Sequence, residues 1–108
     1  MSVILGYVPC KNKKEAKKIA GLLLEKKLIA CANILNSTES IYLWEGKIRN
    51  ETESILLMKT LSSKGSMVKA AVKKNHSYKL PCIAFIKFDE INKEYELWVK
   101  KQVIRGLL

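Results

Sequence analysis

The course of the chain is decided by Ala30-Cys31-Ala32-Asn33-Ile34, Ser40-Ile41-Tyr42-Leu43-Trp44-Glu45-Gly46-Lys47 and Ile55-Leu56-Leu57-Met58-Lys59-Thr60. Residues 34–44 and 53–60 read as two strands, with Glu45-Gly46-Lys47 as the turn and Gly46 free to take a positive φ. Ile41 and Leu43 alternate with Tyr42 and Trp44, and Ile55 and Leu57 with Leu56 and Met58. Neither face of this hairpin is purely polar, so it is expected to be covered on both sides. Helices supply one cover. A second subunit is the expected source of the other.

The flanking segments extend the pattern. Residues 2–8 form an apolar run ended by Pro9 and read as a strand. Asn12 is the expected N-cap of a helix whose buried stripe is Ala16, Ile19, Ala20, Leu23 and Leu24, ending near Lys26 or Lys27. Ser62 or Ser63 should cap a second helix, with Met67, Val68, Ala71 and Val72 inward and its end near Asn75. Residues 83–88 read as a fourth strand. Ile91, Tyr95, Trp98, Val99 and Val103 mark a third helix, with Lys100, Lys101 and Arg105 near its end, where positive charge suits the helix dipole. The predicted order is βαββαβ plus a C-terminal helix. That is a ferredoxin-like α+β fold, an antiparallel sheet with two helices on one face and the other face open in a monomer.

The 108 residues are enough for one domain spanning 1–108. A hydrophobic content of 48% and a mean hydropathy of −0.03 fit a soluble protein. No apolar run approaches the roughly 20 residues that span a bilayer. The first residues lack a basic, then apolar, leader pattern. A cytoplasmic protein without a membrane partner is expected. Three Cys, an odd count, argue against a disulfide framework. The formal net charge is +10, and of 20 basic residues only Arg49 and Arg105 are Arg. Base recognition favours Arg, so nucleic acid is not the expected partner despite the charge.

The ordered set Cys31, Asn33, Ser40, Tyr42, Trp44, Gly46, Lys47, Lys59, Thr60, His76, Tyr78, Pro81, Tyr95 and Trp98 resembles the CutA family, the divalent-cation tolerance proteins. That family carries Ala-Cys-x-Asn-Ile, Tyr-x-Trp-x-Gly-Lys and His-Pro-Tyr-x-x-Pro-Glu in this order. The chain departs from it at Ser77, where the family has Pro, and at Cys82, where it has Glu. The family's Pro-Gly turn is replaced by Leu35-Asn36-Ser37-Thr38-Glu39, where Asn and Ser are expected to make the turn.

The resemblance implies a homotrimer with sheets packed about a threefold axis. Its intersubunit clefts would be lined by Cys31, Tyr42, Trp44, Lys59, His76, Tyr78 and Trp98. It implies tolerance of divalent metals, with no enzymatic activity. His76 and Cys82 flank one loop and are the expected soft ligands for copper or another divalent metal, with Cys31 as a third. The competing reading for His76 is a structural residue that locks the loop before Pro81. No C-x-x-C is present, and the single His has no acidic motif beside it in sequence. The alternative function is a PII-like signalling or scaffold trimer. It would bind a small anion in a cleft holding Trp44, Lys59, Lys79, Tyr78 and Trp98. A sheet-face RNA platform would need aromatics that the trimer turns toward its centre.

Overall fold

In the computed structural model, residues 2–104 are described; Arg105 lies outside them. The order is β1 (Val3–Cys10), α1 (Lys13–Glu25), β2 (Cys31–Trp44), β3 (Lys47–Leu61), a 3-10 turn (Ser62–Lys64), α2 (Gly65–Asn75), β4 (Ala84–Lys87) and α3 (Lys93–Val103). The four strands form one antiparallel sheet in the order β2-β3-β1-β4. This is the ferredoxin-like arrangement that the βαββαβ pattern predicts.

Strand alternation sorts the side chains between two faces. On one face Val8, Cys10, Leu56 and Met58 pack against Ala16, Ile19, Ala20 and Leu23 of α1 and Val68 and Val72 of α2. Each fully buried Leu or Ile there contributes roughly 1.5–3 kcal/mol. On the opposite face α3 covers one end, where Val3 and its strand partner Leu61 meet Ala30, Val99 and Val103. On the rest of that face Tyr7, Leu35 and Ile86 are exposed, while Ile55 is buried.

Asn12 caps α1 as expected, its side chain accepting the Glu15 backbone N–H at 2.9 Å. Some stripe positions differ from the periodic reading. Leu24 and Met67 lie on the outer side of the helix layer, with Met67 47% exposed. The second helix starts at Gly65 with Lys64 as its N-cap, because the serines are taken up by the 3-10 turn.

The hairpin is longer than expected. β2 and β3 run 14 and 15 residues, against eight in β1 and four in β4. Trp44 pairs with Lys47 across Glu45 (φ 51°) and Gly46 (φ 77°), so both turn residues sit in the left-handed region that a two-residue hairpin requires. Residues 35–39 make no chain reversal. The register slips between Leu35 and Thr38, and Ser37 takes φ 57° in a bulge. Asn36 Oδ1 accepts the Ser54 hydroxyl at 2.9 Å and fixes that bulge against β3. β1 pairs with β3 only from Ser54 to Leu61. The hairpin beyond Ser54 therefore projects as a two-stranded arm with Ile41, Leu43 and Ile48 exposed by 65, 72 and 76%.

Gly6 leaves room for the side chains of its two strand partners, Met58 of β3 and Phe85 of β4. A Cβ there would lie 2.5 Å from Met58 Cγ and 3.2 Å from the Phe85 ring. Met58 is fully buried, so its side chain has nowhere to move. Gly6→Ala is expected to destabilise the fold by about 1–3 kcal/mol, read as a lowered urea midpoint with unchanged slope.

Candidate functional site

The loop after α2 is held by three elements. His76 ends α2, and its Nε2 lies 2.9 Å from the Pro9 carbonyl of β1. The Tyr78 backbone N–H donates to His76 Nδ1 at 3.0 Å. With the carbonyl as acceptor on one side and an N–H donor on the other, these hydrogen bonds fit a ring that carries its proton on Nε2. The Ser77 backbone N–H donates to Glu15 Oε2 at 2.9 Å, and the Lys11 N–H to Glu15 Oε1 at 2.9 Å. Tyr78 stacks obliquely on His76, with centroids 4.7 Å apart, and its hydroxyl donates to Glu53 Oε2 at 2.7 Å.

A donor set lies beneath this loop. The Cys10 sulfur, a Glu15 carboxylate oxygen and a His76 ring nitrogen all lie within 4.8 Å of one another. The sequence assigned Cys10 no role and placed no acidic motif beside the His. Ser77 and Glu15 are 62 residues apart and meet only through the fold. The readable signal was Asn12-x-x-Glu15, the spacing of a helix-capping pair, which fixes the Glu15 carboxylate at the start of α1.

The electrostatics of the set follow from burial. Burial is the main force pushing the Cys10 thiol up to about 12, helped by the Glu15 and Glu53 charges. Cys10 is a protonated thiol that donates to the Val8 carbonyl at 3.6 Å. Burial also raises the Glu15 carboxyl. The Lys11 and Ser77 hydrogen bonds and the nearby His76 ring outweigh it, so the net shift is downward. Burial and the Glu53 carboxylate raise the Tyr78 phenol.

The other expected site residues fall into two groups. Cys82, Tyr78 and Trp44 line one groove of about 650 Å³ between the loop and the hairpin arm, together with Pro9 and Tyr42. The Tyr42 hydroxyl donates to the Glu51 carboxylate on its rim. Cys82 is an exposed free thiol. Cys31 and Lys59 are strand partners elsewhere. Lys59 Nζ lies 3.5 Å from Cys31 Sγ and 3.2 Å from Asn33 Oδ1, and Cys31 Sγ is 3.2 Å from the Tyr95 hydroxyl. Trp98 packs on Tyr95, with centroids 5.4 Å apart, and is 41% exposed. Lys59 is six residues along β3 from Glu53, the Tyr78 partner, a span of about 20 Å. Within one subunit, Cys31, Lys59 and Trp98 are therefore separate from the loop of His76 and Cys82.

The fold is a ferredoxin-like βαββαβ sheet that carries His76 and Cys82 on the loop after its second helix. The chain belongs to the CutA1 divalent ion tolerance family, whose pattern it matches over residues 4–102. It is 42% identical over 97 residues to the divalent-cation tolerance protein CutA of Archaeoglobus fulgidus, covering 90% of this chain and 94% of that one. It is 37% identical over 97 residues to the chloroplastic CutA 1 of rice, covering 90% of this chain but 55% of the longer plant protein. The crystal structure of rice CutA1 superposes with a TM-score of 0.93 at 34% identity, covering 98% of this chain and 97% of that one.

The Glu15 tie gives a pH dependence with a definite sign. The folded carboxyl titrates below its unfolded value, so its stabilisation is complete above the unfolded pKa of about 4.3 and fades as pH falls through the folded value. Glu15→Gln should cost about 1–3 kcal/mol at neutral pH. Urea midpoints of the two proteins should differ at pH 7 and converge once the wild-type carboxyl is protonated.

Proposed function

We propose that this protein is a non-enzymatic, cytoplasmic divalent-cation tolerance protein, a single CutA-like domain that works as a homotrimer. It binds copper or a similar soft cation weakly at the loop after α2. His76 and the accessible thiol Cys82 are the primary donors, and Cys10 and Glu15 lie beside His76. The observation that carries this reading is the convergence of the Cys10 thiol, the Glu15 carboxylate and the His76 imidazole within 4.8 Å under the loop that also bears Cys82. The donor chemistry fits a soft or borderline cation. Both His76 nitrogens are already engaged by backbone groups, so a cation must displace one of those contacts, which accounts for weak binding. Cys31 would join only across a subunit boundary.

The projecting arm supports the trimer. A two-stranded ribbon with Ile41, Leu43 and Ile48 bare is marginal in water alone. Neighbouring subunits would cover it and close the clefts over Trp44, Lys59, Tyr78 and Trp98. The small-anion reading gains less support. The groove beside Trp44 and Tyr78 sets Arg49 and Lys79 against Glu51 and Glu53, and the cavity beside Lys59 sets Lys59 and Lys93 against Asp89, Glu90 and Glu96. Neither lining attracts an anion.

Titration of the reduced protein with copper, with native mass measured at each addition, tests the proposal. Stoichiometric uptake by a trimer is expected. It should be lost in His76→Ala and Cys82→Ser, and weakened in Cys10→Ser, with each variant still trimeric. Uptake that is absent in the wild type, or equal in all four proteins, sinks the metal site. A monomeric mass sinks the assembly.

A further inference from the structure

The charge of the chain is sorted by layer. Residues 11–27 and 64–79, which hold α1, α2 and their flanks, carry twelve Lys against two carboxylates, Glu15 and Glu25. The remainder balances eight basic residues against eight acidic ones. The net charge of +10 therefore resides in these two segments. Glu15 faces inward, held by Lys11 and Ser77, so it offsets little of the outer potential. Eleven of the twelve Lys are exposed, and among the described residues none is ion-paired to a carboxylate. Lys13 and Lys17, Lys14 and Lys18, and Lys69 and Lys73 lie one helical turn apart, giving rows of like charge about 6 Å apart along the axes.

We infer that this helix layer is a docking surface for the phosphate backbone of nucleic acid, read without regard to sequence. The layer holds no Arg fork to read base edges, only point charges. Lys alone is sufficient for a polyphosphate, because each contact releases condensed counterions and the affinity needs no apolar anchor. An anionic bilayer suits the layer less well. The apolar stripes of both helices are spent on the sheet, which leaves only Leu24 and Met67 to enter lipid, whereas amphipathic surface helices insert a whole face. The surface is distinct from the sheet-face aromatics that RNA-binding modules of this topology use. In the proposed trimer it points outward on every subunit. The inference does not depend on the metal site.

Fluorescence anisotropy of a labelled mixed-sequence DNA duplex of about 20 base pairs, titrated with the full chain from about 50 to 200 mM salt, tests it. Two variants of equal net charge are compared. One carries Lys14→Gln, Lys18→Gln, Lys69→Gln and Lys73→Gln. The other carries Lys47→Gln, Lys87→Gln, Lys93→Gln and Lys101→Gln, from the balanced remainder. The wild type and the second variant should bind with a steep salt dependence. The first should bind roughly a hundredfold more weakly at low salt and lose about four units of the log–log salt slope, one per phosphate contact removed. Equal loss in both variants would show that total charge, not this face, is responsible, and would overturn the inference. So would the absence of binding at low salt, or preferential binding to vesicles rich in phosphatidylserine over the duplex.

Discussion

The mismatch in strand length governs this molecule. β3 has 15 residues, but β1 can pair with only the half that lies over the helices. The other half has one strand partner, β2, and no layer behind it. Backbone hydrogen bonds hold that arm together, but they do not cover Ile41, Leu43 and Ile48. At about 25 cal/mol per Å² of apolar surface, leaving them in water forgoes several kcal/mol. The same overhang creates the groove. Tyr42, Trp44 and Glu53 stand on the arm, Tyr78 and Cys82 on the loop facing it, and the space between them exists because nothing in the subunit fills it.

The loop is as fixed as the arm is free. Its fixing rests on Glu15, one carboxylate that accepts N–H groups from both Lys11 and Ser77. The Lys11 bond secures the start of α1, and the Ser77 bond brings the loop to it. His76 then meets Pro9, and Tyr78 reaches Glu53. Charge-assisted hydrogen bonds of this kind are roughly twice as strong as neutral ones. The arrangement therefore serves as a latch and also gathers donors. A latch with every polar atom engaged is a poor permanent cage for an ion, and a thiol held protonated by burial resists ligation. In the proposed metal-binding role, transient capture would fall to the accessible thiol of Cys82, which sits on the same loop as the guarded imidazole.

What could be read in advance follows the range of each interaction. The hairpin, the two core helices and the sheet face they cover were legible because alternation, the 3.6-residue stripe and the Glu45-Gly46 turn are local. The bulge at Asn36 and Ser37 was not, because its geometry is set by Ser54 on the opposite strand. Met67 was expected inside the core and lies on its outer side, since periodicity does not say where the second layer stops. The candidate site was legible only in part. His76, Tyr78 and Cys82 lie together in the chain and stay near one groove, whereas Cys31 belongs to a separate motif and lies on another part of the sheet. Cys10 and Glu15 enter through contacts dozens of residues apart, which no local pattern encodes.

The charge distribution follows from the same division of labour. The sheet side is committed to apolar burial, against α3 at one end and against whatever covers the arm at the other. The charges outside the helix layer balance, eight basic residues against eight acidic ones, and among the described residues they lie on β2, β3, β4 and α3 as well as in loops. The helix layer has finished its apolar task once Ile19, Leu23, Val68 and Val72 reach the sheet. Its outer surface is free to take any polar side chain. Like charges one turn apart cost a helix roughly 0.2–0.5 kcal/mol per pair. Burying one of those aliphatic side chains is worth several times that. The fold thus carries a one-signed face at a tolerable loss, and the lysines, not needed to build the frame, remain available to whatever the frame meets.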